Sequence, residues 1–300
     1  MSNDWTQHRE RSNPLMLRIL AWIARTLGRG VARLILWPTV IYFYLTGAQA
    51  RRASADFLRR VQEGPASRRQ ILRHFHYFAA VTLDRIFLFL NYFRRFQIDI
   101  HGVEAVHELA RRQQGCLLLV SHLGSFEVMR AAAMNADVPE LKIRFLMDRQ
   151  HGAMMTRVLE SLNPGFAEAI IDTAAGDVDL VLRLRDAVDR GEMIGVMADR
   201  LHQPGERALP VKVLGETAQI PASPWLLAGM LKVPVLLCFG LYRGGRHYEL
   251  HFESLGNHLE LPRGRRMEAA QEHAQRYADR LSHHARQAPY NWFNFYDFWA

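Results

Sequence analysis

Cysteine is scarce: the 300 residues hold two, Cys116 and Cys238, each inside an apolar, strand-like run. Two such residues make neither a disulfide framework nor a zinc site. They suit small buried hydrophobes in a reducing compartment. His-Glu-x-x-His does not occur. Gly-x-Ser-x-Gly is missing too, which removes the nucleophile elbow of a serine hydrolase. Gly-x-x-x-x-Gly-Lys-Ser/Thr and Gly-x-Gly-x-x-Gly are both absent, so the chain carries neither nucleotide-binding loop. No residue pattern requires a metal or an organic cofactor. Charge is also missing from one place: Leu34–Ala50 runs 17 residues without any, just short of the roughly 20 that a spanning helix needs. A cleaved signal peptide is not expected, because this run starts late and lacks a small-residue cleavage site.

What is present is ordinary for a globular protein, with 49% hydrophobic and 23% charged residues, and that excludes wholesale disorder. The basic excess is unevenly placed. Residues 1–60 hold ten arginines against three acids, nearly the whole of the net charge of +8. A nucleic-acid binder more often carries its basic stripe on the folded body. Here the charge adjoins the most hydrophobic segment, which points to an anionic membrane surface. From Pro14 the spacing predicts a helix. Arg18, Arg25, Arg29 and Arg33 fall within an arc of about 80°. Leu17, Leu20, Trp22, Ile23, Leu27 and Val31 take the other directions. Such a basic amphipathic helix reads as surface-binding. Leu34–Ala50, with Trp37 and Tyr42, then spans, dips into one leaflet or forms a buried helix; arginines on both sides leave its orientation open.

Helices are expected at 51–63 and from Ser67 to about Phe93. Strands are expected at 96–101, 116–120, 142–147, 167–171, 193–198, 234–242 and 247–253. Helices at 103–113, 152–161, 177–190, from Ser223 and at 265–287 alternate with them, which predicts an α/β fold with a largely parallel sheet. The tail, Pro289–Trp299, holds seven aromatics in eleven residues. It either anchors at headgroup level or folds onto the domain.

Residues 116–130 carry the chemistry. Cys116–Val120 reads as a buried strand, Ser121–Ser125 as the break after it, and Phe126 onward as a helix. His122 then sits at a strand tip and Glu127 in the first turn of the next helix, at the crevice where open α/β sheets bind ligands. A carboxylate on one imidazole nitrogen fixes the tautomer and raises the basicity of the other, which can take a proton from a hydroxyl. By spacing alone, the pair reads equally as a satisfied loop histidine and a charge favoured at a helix start. Main-chain N–H groups at Gly124, Ser125 and Phe126 are candidates for an oxyanion. Arg149 and Asp199 each follow a strand. Arg149 suits a phosphate, with Asp199 to hold it; the plain alternative is a surface Arg and a loop Asp.

His-x-x-x-x-Glu after an apolar strand resembles the motif of the lysophospholipid acyltransferase superfamily. From about residue 15 to the C-terminus, the chain resembles its bacterial branch, the late lipid A acyltransferases. Arg149 matches an arginine after the second core strand of that family, Asp199 an acidic residue of a later block, and the tail a Trp-containing C-terminal block. Asp148-Arg149-Gln150 stands where the family usually has Tyr-Arg-Pro, and Ala198-Asp199-Arg200 where it has Pro-Asp-His or Pro-Asp-Gln. The resemblance implies an α/β fold: one acyltransferase domain (51–300) with a mixed, largely parallel sheet flanked by helices, behind a membrane-associated helical segment (1–50). It implies His122 as general base oriented by Glu127, and Arg149 and Asp199 as substrate-binding residues. The implied donor is an acyl thioester on acyl-carrier protein or coenzyme A. The implied acceptor is a lipid hydroxyl, on a lipid A precursor or, given those departures, a lysophospholipid, amino-acid lipid or polyene lipid. It places the site on the cytoplasmic face of a Gram-negative inner membrane. A catalytically idle membrane-binding protein on the same fold is the alternative.

Overall fold

The computed structural model describes residues 28–89, 92–129, 141–147, 168–173, 177–201 and 205–299. The helix expected at 152–161, most of the helix after Phe126, Arg18, Arg25 and Arg149 lie outside these residues.

Three helices open the described chain: α1 (Gly28–Thr46), α2 (Ala48–Gln62) and α3 (Arg68–Phe89). A reciprocal cap starts α3: the Gln70 amide donates to Ser67 Oγ, and the Ser67 amide donates to Gln70 Oε1. Then come β1 (Gln97–His101), α4 (Val103–Arg111), β2 (Cys116–Gly124), β3 (Ile143–Met147), β4 (Ile170–Asp172), α5 (Asp177–Asp189) and β5 (Met193–Met197). The chain closes with β6 (Ala208–Val213), β7 (Glu216–Pro221), α6 (Ser223–Leu231), β8 (Val235–Gly244), β9 (His247–Gly256) and α7 (Arg266–Gln287). Seven strands form one sheet in the order β1-β9-β8-β2-β5-β3-β4. Every neighbouring pair is parallel except the β8–β9 hairpin. The fold is α/β, as the alternation predicts.

The central strand shows why. Cys116–Val120 is buried on both faces, the mark of a parallel strand covered by helices. Each fully buried leucine there contributes about 1.5–3 kcal/mol. Leu117 and Leu119 join the core under α7, while Leu118 and Val120 join the core under α3. Cys116 and Cys238 are free and buried in the sheet, and burial pushes the Cys116 thiol up to about 12.

Two features differ from the sequence expectation. The strand expected to stop at Val120 runs on to Gly124, with an irregular register against β8 between those residues. Gly124 has φ +75°, and a Cβ there would lie 1.9 Å from the Gly240 carbonyl oxygen, so only glycine lets β2 and β8 close at this end. The β6–β7 hairpin was not foreseen. Its turn, Leu214-Gly215, has positive φ at both residues, the geometry that Asn-Gly usually signals.

The arginines of α1 also point the other way. Arg29 is buried and forms a two-pronged ion pair with Asp84 of α3 at 2.7 Å, while Arg33 reaches the Tyr242 hydroxyl and the Gly245 carbonyl. Ala32, Leu36 and Val40 face inward with Arg29, at helical spacing. The outward face is apolar: Leu34, Trp37, Ile41 and Leu45 are exposed, Leu34 by 72%. The polar and apolar faces are therefore inverted relative to a helix that offers arginines to headgroups. Among the described residues, no single helix is long and apolar enough to cross a membrane. The bent pair Gly28–Thr46 and Ala48–Gln62, at 95°, meets that test together.

Candidate active site

The parallel register of β2 and β5 builds the site. Val120 lies opposite Met197, and the Ala198 amide donates to the Val120 carbonyl at 3.0 Å. Two residues further along each strand stand His122 and Asp199. The Asp199 carboxylate accepts twice from His122, from the main-chain amide at Oδ2 and from Nδ1 at Oδ1, both at 2.9 Å. An ionised carboxylate only accepts, so Nδ1 carries the proton and the Nε2 lone pair is free. Among the described residues, Nε2 has no hydrogen-bond partner, and the side chain is 25% exposed.

Asp199 is fully buried. Burial pushes its pKa up, but His122, Arg200 and the Trp292 indole outweigh that and hold it well below the usual carboxylate range. Burial, followed by the Arg200 charge, pulls His122 down to about 4, against the opposing pull of Asp199. The histidine is thus neutral near pH 7, the state a general base needs.

The expected partner of His122 was Glu127, and here the structure differs. Glu127 is buried in the short 3₁₀ turn Phe126–Met129. One carboxylate oxygen accepts from Ser125 Oγ at 2.6 Å, and the other lies 2.9 Å from Arg85 Nε of α3. The contact assigned to Glu127 belongs to Asp199, because neighbouring strand ends meet while the turn carries residue 127 toward α3. Two of the three expected oxyanion donors are also committed. The Gly124 amide donates to the Asn291 carbonyl and the Ser125 amide to that of Gly240, both at 2.8 Å. The Phe126 amide makes no such bond among the described residues. Asp199 was expected to hold Arg149, which lies outside them.

Sequence reasoning missed two groups. The aromatic tail folds onto the domain: Trp292 is buried, and its indole N–H donates to Asp199 Oδ2 at 2.9 Å. Behind it, His74 is fully buried. It donates from Nε2 to the Trp292 carbonyl at 3.0 Å, which leaves Nδ1 to accept from the Ser54 hydroxyl at 2.8 Å. A chain of hydrogen bonds thus runs from α2 through α3 and the tail to the imidazole. Arg200 ties down the same tail through Asn294 Oδ1 and the Phe293 carbonyl, each at 2.7 Å. The only signal in the sequence was the aromatic density of the tail.

The model of the bacterial lipid A biosynthesis acyltransferase family matches residues 79–300, well over half of the chain. The chain belongs to that family. It is accordingly an acyltransferase. No curated protein matches it. The matched segment runs from within α3 to the end of the tail, so it contains Arg85, His122, Glu127, Asp199 and Trp292.

Proposed function

We propose that the protein transfers a fatty acyl chain from an acyl thioester to a hydroxyl of a lipid acceptor, with His122 as general base. The observation that carries this is a neutral, partly exposed imidazole whose Nδ1 is fixed by a buried carboxylate and whose Nε2 is free among the described residues. Nε2 takes the proton as the acceptor hydroxyl oxygen attacks the thioester carbonyl. The tetrahedral adduct collapses with cleavage of the C–S bond. The leaving sulfur takes the proton back from the imidazolium, and an ester remains. Proton transfer by such a base supplies about 10²–10⁴-fold, and positioning of the two substrates much of the rest.

Asp199 is the orienting carboxylate in this reading. Glu127 keeps Arg85 beside the site, where its charge already acts on His122. The Phe126 amide and Arg85 serve the developing oxyanion, and Arg149 a phosphate of donor or acceptor. The donor is carried on acyl-carrier protein or coenzyme A, and the acceptor is a lipid A precursor or a related amphiphile. The exposed apolar face of α1 rests on the cytoplasmic leaflet of the inner membrane and brings the site to its lipid substrate.

Lipid mass spectrometry on cells expressing wild type or His122→Ala tests this. A lipid that gains one acyl chain only with wild type supports the reading and names acceptor and chain length together. Identical lipid profiles at equal expression, in a host that makes lipid A precursors, would remove its support.

A further inference from the structure

Histidine and acid alternate along β9: His247, Glu249, His251 and Glu253 take every second position. A period of two puts all four on one face of the sheet. In the parallel ladder with the edge strand β1, Asp99 lies opposite Glu249 and His101 opposite His251. Some of these groups are committed. His247 Nε2 pairs with Asp99 at 2.7 Å, and Glu253 is held by Arg280 and His284. The remaining three, His101, Glu249 and His251, can each offer one ligand atom, all within 4.8 Å of one another.

Two details of the geometry single out this trio. His251 Nε2 is buried and has no hydrogen-bond partner among the described residues. It stands 3.5 Å from Glu249 Oε2, too far for a good hydrogen bond. Two ligands that each sit about 2.1 Å from a tetrahedral zinc ion are about 3.4 Å apart, so the gap has the width of a shared metal. Gly102 secures the third ligand: a Cβ there would lie 2.1 Å from the Phe252 carbonyl oxygen, so β1 ends tight against β9. That approach stacks the His101 ring on His251 at 4.7 Å.

We propose that His101, Glu249 and His251 form a site for a divalent transition-metal ion of the zinc class, with water completing the coordination. Two imidazoles and a carboxylate are a donor set that zinc accepts. Arg243 Nη2, 2.7 Å from Glu249 Oε2, competes for the same carboxylate, so binding trades part of an ion pair for a metal bond. The site lies outside the catalytic centre, since β8 separates β9 from β2. Its effect is to clamp the edge strand β1 to the sheet.

The test uses the full chain in detergent, stripped of metal by a chelator and titrated with Co²⁺ and then Zn²⁺. Wild type is expected to take up one Co²⁺ per chain with a visible absorption band that Zn²⁺ abolishes, and to unfold at higher temperature when loaded. His101→Ala and Glu249→Gln should each weaken binding at least about tenfold. His258→Ala, an exposed histidine outside the trio, should bind as wild type does. No Co²⁺ uptake by wild type, or equal uptake by wild type and both ligand variants, would overturn the proposal. His101 is exposed, so His101→Ala reports on binding even if Glu249→Gln disturbs the fold.

Discussion

Two buried carboxylates flank the strand that carries His122, and they are held in contrasting ways. Asp199 accepts from an imidazole, an indole and a main-chain amide, and its guanidinium neighbour, Arg200, spends its own donors on the tail. Glu127 lies against a guanidinium and accepts from a serine hydroxyl. In a low-dielectric interior each partner set decides what the charge can do. The Asp199 charge is directed through Nδ1 of His122, where it sets a tautomer and opposes the fall in pKa. The Glu127 charge is spent on Arg85, where it positions a cation. The pair teaches that a carboxylate near a histidine in sequence need not be the one that serves it.

The sharpest way to break this comparison is to remove each carboxylate. Asp199→Ala should cost the most, about 10²–10⁴-fold in kcat, because the base loses its orientation. It also leaves a buried indole donor and amide unpartnered, and a steady-state assay beside a denaturation curve separates the two losses. Glu127→Gln should cost less, about ten- to a hundredfold, the worth of one charge-assisted contact. Equal losses in the two variants would erase the distinction. Trp292→Phe keeps the ring and deletes only the donor to Asp199; activity should fall by less than about tenfold, with about 1–3 kcal/mol of stability lost in urea unfolding.

The last effect concerns acid stability rather than activity. Burial lowers His74 to about 4, below the ordinary value of about 6.5. The unfolded chain then binds a proton that the folded chain refuses. This contribution is fully present above about pH 6.5 and is lost as the pH falls toward 4, by up to about 3 kcal/mol. Asp199, with its lowered pKa, gives up its own contribution only below the usual carboxylate value of about 3.9. Denaturation midpoints measured between pH 7 and 4.5 therefore report the histidine side of the site. A flat dependence there would contradict its buried, neutral state.

Much of this was legible in the sequence. The apolar run Cys116–Val120, the helix start at Ser67 and the alternation of strands and helices all appear where local physics puts them. His122 was placed near the end of β2 because a histidine after an apolar run is a local feature. Its partner was not, because Asp199 reaches it only through the adjacency of β2 and β5, and strand order is not written in spacing. The same reason hid the Trp292 indole and the meeting of His101 with His251. Arg29 and Arg33 were misplaced because a helical wheel shows which residues share a face and not which way that face looks. The β6–β7 hairpin escaped because a leucine occupies a turn position that usually calls for asparagine.

The most direct measurement is the pH dependence of kcat/KM for wild type, Asp199→Asn and Glu127→Gln. The acid limb reports the pKa of the free base. In wild type it should lie below the ordinary histidine value, near 4. The Asp199 charge raises His122, so Asp199→Asn should move that limb to still lower pH as the rate falls. Glu127→Gln should lower the rate with a smaller displacement. If instead Glu127→Gln moves the limb and Asp199→Asn leaves it in place, Glu127 governs His122 and Asp199 is not its catalytic partner.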